Sequence, residues 1–254
     1  QIIQSPNGMI LVTGPTGSGK NTTLYATCAE LRSDEVNICT VEDPIECNMA
    51  GINQFQTNSG IGFDFANALR SLLRQDPDII MVGEIRDEDT ANISVQAALT
   101  GHLMLSTLHT NDAVSSVTRL IDLGVPRYLV SASLICSVAQ RLVRKICPNC
   151  KTEYEPSAGV RNAVRGLGGD IDTYYRGTGC SKCRNTGYSG RIAVHELFIP
   201  DEEVRGLISG ETSQKQIKKA VRDKGMTTLT MDGLEKVRAG IVSIDEVLHN
   251  IHLV

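Results

Sequence analysis

Short apolar runs alternate with segments of helical periodicity through the first half of the chain. The runs are typical of buried strands and lie at residues 9–13, 37–41, 79–82 and 103–107. The periodic segments predict helices at residues 20–32, 63–75, 87–99, 114–123 and 126–142. We expect Asn111 to cap the fourth of these helices. Strands separated by helices predict parallel pairing and a doubly wound α/β fold.

The pattern changes near residue 145. The following stretch, to residue 190, is rich in Gly, Cys and polar side chains and predicts a small insertion held by a metal. The apolar pattern then resumes with a predicted strand at 192–199 and three or four short helices. Two of these helices begin with predicted capping boxes, Ser213 with Gln216 and Ser243 with Glu246. The changes predict three segments, at residues 1–144, 145–190 and 191–254.

Composition narrows the classes of protein that fit. The 254 residues carry 25 basic and 29 acidic side chains, a net charge of −4, which argues against a dedicated nucleic-acid binder. The apolar runs are all shorter than the roughly 20 residues that span a bilayer. Four scattered cysteines in a chain of this length favour a reducing cytoplasm over a disulfide scaffold. Because the sequence begins with Gln1 rather than Met, we interpret it as part of a longer protein.

A glycine-rich turn joins the first predicted strand to the first predicted helix. It reads Gly14-Pro15-Thr16-Gly17-Ser18-Gly19-Lys20. Glycines allow backbone N–H groups to turn inward around phosphate oxygens, and the helix N-terminus adds about half a positive charge. Lys20 adds a full charge near the β- and γ-phosphates. In this strand–turn–helix context the motif predicts a nucleotide site, against the alternative of a turn without a ligand.

One position departs from this phosphate-loop pattern. After the lysine the pattern has Ser or Thr, whose hydroxyl binds Mg²⁺, whereas this chain has Asn21. The hydroxyls of Thr22 and Thr23 are rotated by about 100° and 200° around the helix and do not replace it. The Asn21 amide oxygen is a bulkier ligand, so we expect weaker Mg²⁺ binding and slower hydrolysis than with Ser.

Acidic residues follow two more of the predicted strands. Glu42 ends the strand at 37–41, and Glu84 follows the strand at 79–82. Because the carboxyl ends of parallel strands meet at one edge, we expect both carboxylates to converge there with Lys20. Carboxylates at strand ends also occur in ordinary loops, but beside a phosphate loop they fit Mg²⁺ positioning and water activation.

Two histidines flank the predicted strand at 103–107. His109 falls on the ligand edge and is a candidate sensor of the γ-phosphate, whereas His102 falls at the opposite end and suits a structural role. A zinc site shared by the two is disfavoured because a strand of this length holds them about 16 Å apart.

Four cysteines form two Cys-x-x-Cys pairs, Cys147 with Cys150 and Cys180 with Cys183, separated by 29 residues. This arrangement predicts a tetrahedral structural zinc site, provided that the chain between the pairs folds back. Redox pairs or free thiols are the alternatives. A catalytic zinc is disfavoured because four thiolates leave no open position.

Taken together, the motifs resemble the C-terminal ATPase domain of the type II secretion and type IV pilus assembly ATPases. The resemblance covers essentially the whole chain. It rests on a Walker A loop at 14–23, an aspartate box at 40–46, a Walker B segment at 73–87, a histidine box at 98–111, the segment 139–144 and the four cysteines. The order of the motifs makes the resemblance specific.

The resemblance implies a RecA-like core over 1–144, a tetracysteine element over 145–190, a helical subdomain over 191–254 and a preceding domain outside this chain. It implies ATP and Mg²⁺ as ligands, with Lys20 on the phosphates, Glu84 positioning Mg²⁺ or water, and Glu42 as general base. The implied nucleotide-binding residues are Gly14, Pro15, Thr16, Gly17, Ser18, Gly19, Lys20, Asn21, Thr22, Arg70, Arg74, Arg86, His109 and Arg119. The arginines are candidates for nucleotide or intersubunit contacts, or simply solvated charges.

The resemblance also implies a hexameric ring at the cytoplasmic side of the inner membrane, which works with an integral-membrane platform protein to assemble pilin-like subunits. The cysteine element favours assembly over retraction motors. Two alternatives stay open: a nucleotide-binding subunit that has lost most turnover through Asn21, and a related DNA-translocating ATPase. A small-molecule kinase is the least favoured class because nothing in the sequence resembles an acceptor pocket.

Overall fold

The computed structural model describes residues 2–252, so the last two residues of the predicted segment 191–254 lie outside it. The chain forms two compact units. The first contains residues 2–16, 20–139 and 197–226, and the second contains residues 17–19, 140–196 and 227–252. Among the described residues, no helix combines the length and the apolar character needed to cross a membrane.

The strands of the chain follow one another at β1 (Gly8–Thr13), β2 (Ile38–Glu42), β3 (Asn53–Gln56), β4 (Ile79–Val82), β5 (Leu103–Leu108), β6 (Leu134–Ile146), β7 (Lys151–Tyr154), β8 (Tyr174–Gly177) and β9 (Tyr188–Phe198). Hydrogen bonds connect the main sheet in the order β3-β2-β4-β5-β1-β6-β9. The pairings of β1, β2 and β4 with their neighbours are all parallel. Strands β1, β2, β4 and β5 are buried along their whole length, as expected for a sheet covered on both faces. The predicted parallel α/β sheet is confirmed.

The helices lie at α1 (Lys20–Leu31), α2 (Phe65–Leu72), α3 (Glu88–Leu99), α4 (Ser115–Asp122), α5 (Arg127–Ser133), α6 (Ala158–Gly166), α7 (Glu202–Ser209), α8 (Gln214–Asp223), α9 (Leu229–Arg238) and α10 (Ile244–Val247). Helix α1 packs on the sheet through Leu24 and Cys28, which are four residues apart and share one face. They join a buried cluster with Val12 of β1, Met81 of β4 and Leu105 of β5. This packing fixes the helix that begins at Lys20 against the strands beside it.

The predicted helix over 126–142 is wrong beyond residue 133. Helix α5 ends at Ser133 and the chain continues as β6, which pairs with β1 through contacts such as Val12 with Val138. A short apolar run suits a helix or a strand equally well on periodicity alone. Pairing with β1 decides the outcome, because it satisfies backbone groups along both strands.

Local capping also differs from the prediction at two places. Asp112, not Asn111, accepts a hydrogen bond from the Ser115 backbone at the start of α4 (2.9 Å). The capping box of Ser213 and Gln216 is confirmed at α8. Ser243 precedes α10 but makes no side-chain capping bond, because its hydroxyl pairs with the Tyr188 hydroxyl at 3.0 Å. Its predicted partner, Glu246, binds an arginine.

The second unit folds the cysteine-rich segment back on itself. Strands β7 and β8 pair antiparallel, with α6 in the connection between them. The Thr178 backbone donates to the Cys150 carbonyl (3.0 Å), so the ends of the long connection meet beside the cysteines. The fold-back that the sequence required of this segment is therefore present.

An ion pair between the half-exposed Arg144 and the buried Glu246 joins β6 to α10 in the second unit. Arg144 donates to Glu246 Oε1 through Nη2 (2.5 Å) and Nε (3.0 Å), and its backbone N–H donates to Oε2 (2.8 Å). The Arg144 guanidinium also stacks over the Tyr188 ring at 4.1 Å. Burial of Glu246 acts to raise its pKa, but the bonds and charge of Arg144 outweigh burial and lower the pKa below its ordinary value.

We predict that Glu246→Gln destabilises the protein at neutral pH by weakening this pair. Because the folded-state pKa of Glu246 lies below its ordinary value of 4.5, its stabilising contribution is complete above pH 4.5 and disappears as the pH falls through the folded-state pKa. Denaturant unfolding of the two proteins across acid pH should therefore show their difference shrinking. Glu235→Gln, which alters an exposed pair with Arg238, is the control and should change stability little. A difference that stays constant with pH would contradict the prediction.

Candidate nucleotide site and cysteine cluster

The glycine-rich turn connects the end of β1 to the start of α1. Gly14, Gly17 and Gly19 have φ angles of 144°, 78° and 86°, which residues that carry a side chain rarely adopt. A Cβ at Gly19 would also lie 2.8 Å from Gln140 Nε2. The turn therefore requires glycine at these positions for backbone reasons, before any ligand is considered.

Lys20 holds its charge inside the turn. Its Nζ donates to the carbonyls of Gly14 (3.0 Å) and Pro15 (3.1 Å), and the residue is 9% exposed. A buried ammonium needs such acceptors to offset its lost hydration. The result is a positive charge fixed beside the N-terminus of α1, where a helix already favours anions.

The turn also presents a polar atom that fits an anionic ligand. Ser18 is buried, and its hydroxyl has no hydrogen-bond partner among the residues that the structure describes. The Ser18 carbonyl accepts from Gln140 Nε2 at 2.7 Å, so the residue itself is fixed in place. A phosphate oxygen would accept a hydrogen bond from this hydroxyl. The residues of the turn therefore fit a phosphate-bearing ligand.

Glu84 lies just after β4 and is held by two cationic or hydrogen-bonding side chains. Arg86 Nη2 contacts Oε2 at 2.7 Å, and His109 Nε2, just beyond β5, contacts Oε1 at 3.0 Å. Thr107 Oγ1 donates to the Gly83 carbonyl (2.8 Å), which fixes the backbone beside Glu84. The carboxylate is thereby oriented from both of its oxygens.

The electrostatics keep Glu84 ionised. Burial alone would raise its pKa, since a charged carboxylate loses hydration. The hydrogen bond and charge of Arg86, followed by the charges of His109 and Lys20, outweigh burial and lower the pKa below its ordinary value. Lys20 makes the smallest of these contributions, so its charge in the glycine-rich turn is close enough to Glu84 to act on it.

Glu42 ends β2, the strand next to β4, and is 3% exposed. Thr40 Oγ1 (2.6 Å) and Gln54 Nε2 (3.0 Å) donate to Oε1, and the Tyr25 hydroxyl of α1 donates to Oε2. Burial and the bond to Glu42 raise the pKa of Tyr25 to about 12, so the phenol stays protonated. Sequence patterns did not single out Tyr25 or Gln54, because neither belongs to a chemical motif.

Asn21 is paired with the acidic segment that follows β2. Its Nδ2 donates to Glu46 Oε1 at 2.7 Å. A Ser hydroxyl at this position would be too short to make the same contact, because Asn extends one further bond. Thr22 is exposed. Asn21, which stands where the phosphate-loop pattern has Ser or Thr, therefore has a hydrogen-bond partner in Glu46.

The predicted arginines divide into two groups. Arg86 contacts Glu84, as described above. Arg70 instead contacts Asp89 at 3.0 Å on the exposed faces of α2 and α3, and Arg74 and Arg119 are exposed. His102 lies at the opposite end of β5 from His109, as expected, and its Nδ1 is 3.0 Å from the Ala97 carbonyl.

The four predicted cysteines form one cluster in the second unit. Their sulfur atoms lie within 4.8 Å of one another, with Cys147 to Cys180 at 3.9 Å and Cys150 to Cys183 at 3.8 Å. Tetrahedral zinc with Zn–S bonds of about 2.3 Å places its sulfurs roughly 3.8 Å apart. The donor set and spacing therefore fit zinc.

Backbone amides prepare one of these sulfurs for a metal. The N–H groups of Cys180 (3.2 Å) and Gly187 (3.3 Å) donate to Cys183 Sγ. Burial would raise the pKa of Cys183, but these two bonds and those from neighbouring thiols lower it to about 6. The thiolate is the form that binds metals.

The sequence was compared with models of known protein families. Residues 1–249 match the family described as Type II/IV secretion system protein. The chain belongs to this family. The match covers every motif considered above, including the cysteine cluster.

Members of this secretion-protein family include close relatives of the chain. It is 51% identical over 248 residues to the Type II secretion system ATPase E of Vibrio cholerae, covering 98% of this chain and 49% of that protein. It is 48% identical over 250 residues to the Type IV pilus assembly ATPase PilB of Thermus thermophilus, covering 98% of this chain and 28% of that protein. The chain spans about half the length, or less, of these relatives.

A solved structure supports the same family assignment at the level of fold. The pilus retraction motor PilT, solved with bound ADP, superposes with a TM-score of 0.72 at 29% identity, covering 98% of this chain and 62% of that chain. The α/β fold with a RecA-like core and a tetracysteine cluster, expected from the sequence, is confirmed.

Proposed function

We propose that this chain is the ATP-hydrolysing part of a cytoplasmic motor that powers assembly of pilin-like subunits in type II secretion or type IV pili. The observation that carries the proposal is the shared environment of Lys20 and Glu84. The phosphate loop holds Lys20 in place, and Arg86 and His109 orient Glu84. The bond and charge of Arg86, and more weakly the charges of His109 and Lys20, lower the pKa of Glu84. Relatives named as secretion and pilus assembly ATPases support the coupling to assembly.

The chain's residues divide the work of hydrolysis between them. The 14–19 turn and Lys20 bind the phosphates of ATP, and the Lys20 charge offsets charge that develops on the transferred phosphoryl group. Glu84 orients Mg²⁺ or the attacking water, and Arg86 and His109 hold Glu84 in place. Glu42 accepts the proton of that water as it bonds to the γ-phosphorus and the bond to ADP breaks. Bound Mg²⁺ supplies a further positive charge on the phosphates.

The remaining expectations extend beyond one chain. We place the motor in a homo-oligomer, a hexamer by resemblance, at the cytoplasmic side of the inner membrane. ATP hydrolysis in the motor would drive assembly through an integral-membrane platform protein. The exposed positions of Arg70, Arg74 and Arg119 suit contacts with a neighbouring subunit or its nucleotide. We also assign Zn²⁺ to the cysteine cluster, in a structural role.

One observation favours a second candidate function. Asn21 occupies the position of the Mg²⁺-binding hydroxyl and is bonded to Glu46. A chain with weakened Mg²⁺ binding would act as a nucleotide-binding subunit with little turnover. The experiments that follow separate the two candidates.

Lys20→Ala should reduce phosphate release from ATP by at least about 100-fold, because it removes the positive charge on the phosphates. The measurement is steady-state phosphate release by the intact protein that contains this chain. Lys219→Ala, at an exposed lysine of α8, is the matched control and should leave the rate unchanged. Equal rates in the wild type and Lys20→Ala would exclude the motor and favour the second candidate.

Asn21→Ser should raise turnover and lower the Mg²⁺ concentration that gives half-maximal rate. The serine hydroxyl restores the expected metal ligand and releases the contact with Glu46. Phosphate release is measured across a Mg²⁺ titration, with Asn92→Ser on α3 as a control for the same change elsewhere. Identical turnover and Mg²⁺ dependence in Asn21→Ser and the wild type would refute a role for Asn21 in setting the rate.

The purified protein should contain about one zinc ion per chain, measured by elemental analysis. Cys147→Ser should lose this zinc and lower the melting temperature by at least about 5 °C, because a structural zinc site contributes folding free energy. Cys47→Ser changes an exposed cysteine outside the cluster and should keep both zinc and stability. Retention of zinc by Cys147→Ser would contradict the assignment.

A further inference from the structure

Helix α1 holds the carboxylate of Glu42 directly. The Tyr25 hydroxyl donates to Oε2, while Thr40 and Gln54 donate to Oε1 at 2.6 Å and 3.0 Å. A carboxylate has about four acceptor positions, so these three bonds leave about one for another donor. The orientation of that last position is therefore set by the side chains that occupy the others.

The same helix holds the segment that follows Glu42. The Tyr25 hydroxyl accepts from the Glu46 backbone N–H at 3.2 Å, and Asn21 donates to the Glu46 side chain at 2.7 Å. Asn21 and Tyr25 are four residues apart and share one face of α1. Since α1 begins at Lys20, one rigid element carries the phosphate-binding lysine and the groups that grip residues 42–46.

We propose that Tyr25 is a positioning residue for hydrolysis, which aims the free acceptor position of Glu42 at the attacking water. This inference rests on the proposed function, in which Glu42 takes the proton of that water. The phenol acts on the reaction through Glu42. Its raised pKa keeps the hydroxyl a donor over the whole working pH range.

The geometry favours positioning over simple support of the fold. Tyr25 is half-buried, and its ring takes part in the packing of α1. Its hydroxyl donates to the Glu42 side chain and accepts from the Glu46 backbone, both in the 42–46 segment. Removing the oxygen alone leaves the ring in place. The carboxylate then loses a donor on Oε2 and is free to turn.

Tyr25→Phe is the variant that isolates this oxygen. We expect kcat for ATP hydrolysis to fall about tenfold while KM changes less than about twofold, since the bond acts on the reacting water and not on nucleotide binding. We also expect the Glu46 amide, which loses its acceptor, to exchange its hydrogen about tenfold faster. Tyr128→Phe, at a tyrosine that is 64% exposed on α5, is the control for both measurements and should change neither.

The outcomes separate this inference from the proposed function. Faster exchange at Glu46 with an unchanged kcat would show a purely structural bond and overturn the inference alone. A change in KM without a change in kcat would overturn it as well. Phosphate release by the wild type no greater than that of Lys20→Ala would overturn the proposed function, and the inference with it.

A second variant covers the case in which Tyr25→Phe does not fold. Gln54→Met removes a different donor from the same carboxylate while keeping a side chain of similar length. It should lower kcat with little effect on KM in the same way. An unchanged kcat in a folded Gln54→Met protein would overturn the idea that these donors aim Glu42.

Discussion

A buried ammonium bonded to two backbone carbonyls is the interaction on which the first unit's chemistry depends. Lys20 is stable in this position only because the glycine-rich turn brings the carbonyls of Gly14 and Pro15 within 3.1 Å of it. Those carbonyls are available because the turn's glycines adopt backbone angles that other residues avoid. The fixed charge in turn helps to keep Glu84 ionised. Backbone conformation, charge placement and carboxylate chemistry are thus parts of one arrangement.

Features that depend on neighbouring residues in the sequence could be predicted from the sequence. The four buried strands of the first half and the turn at 14–20 each have a local signature, and parallel pairing places Glu42 and Glu84 at the carboxyl ends of adjacent strands. The Cys-x-x-Cys pairs likewise identified four sulfurs that lie together in the structure. In each case a short run of residues determines both the local geometry and the chemistry, so a single sequence is enough to predict the feature.

Features that depend on distant partners could not be predicted in the same way. Residues 134–142 have a periodicity that suits a helix, and pairing of β6 with β1 and β9 makes them a strand. Glu246 has the spacing of a capping residue, yet Arg144 draws its carboxylate away from that role. Tyr25 has the spacing of an ordinary helix residue, and its link to Glu42 appears only once β2 lies beside α1. Tertiary contacts decided these cases against the local preference.

The antiparallel pairing of β7 with β8 has a consequence for the length of the chain between the two cysteine pairs. The two cysteine pairs meet at the base of the hairpin, and α6 lies in the connection at its far end. Doubling the length of a flexible loop adds only about 0.6 kcal/mol to the entropic cost of closing it. A change of length in this connection is therefore cheap where it leaves the packing of α6 through the buried Val164 intact. The geometry of the sulfurs is therefore set by the pairing of β7 with β8 at the base and not by the length of the chain that joins them.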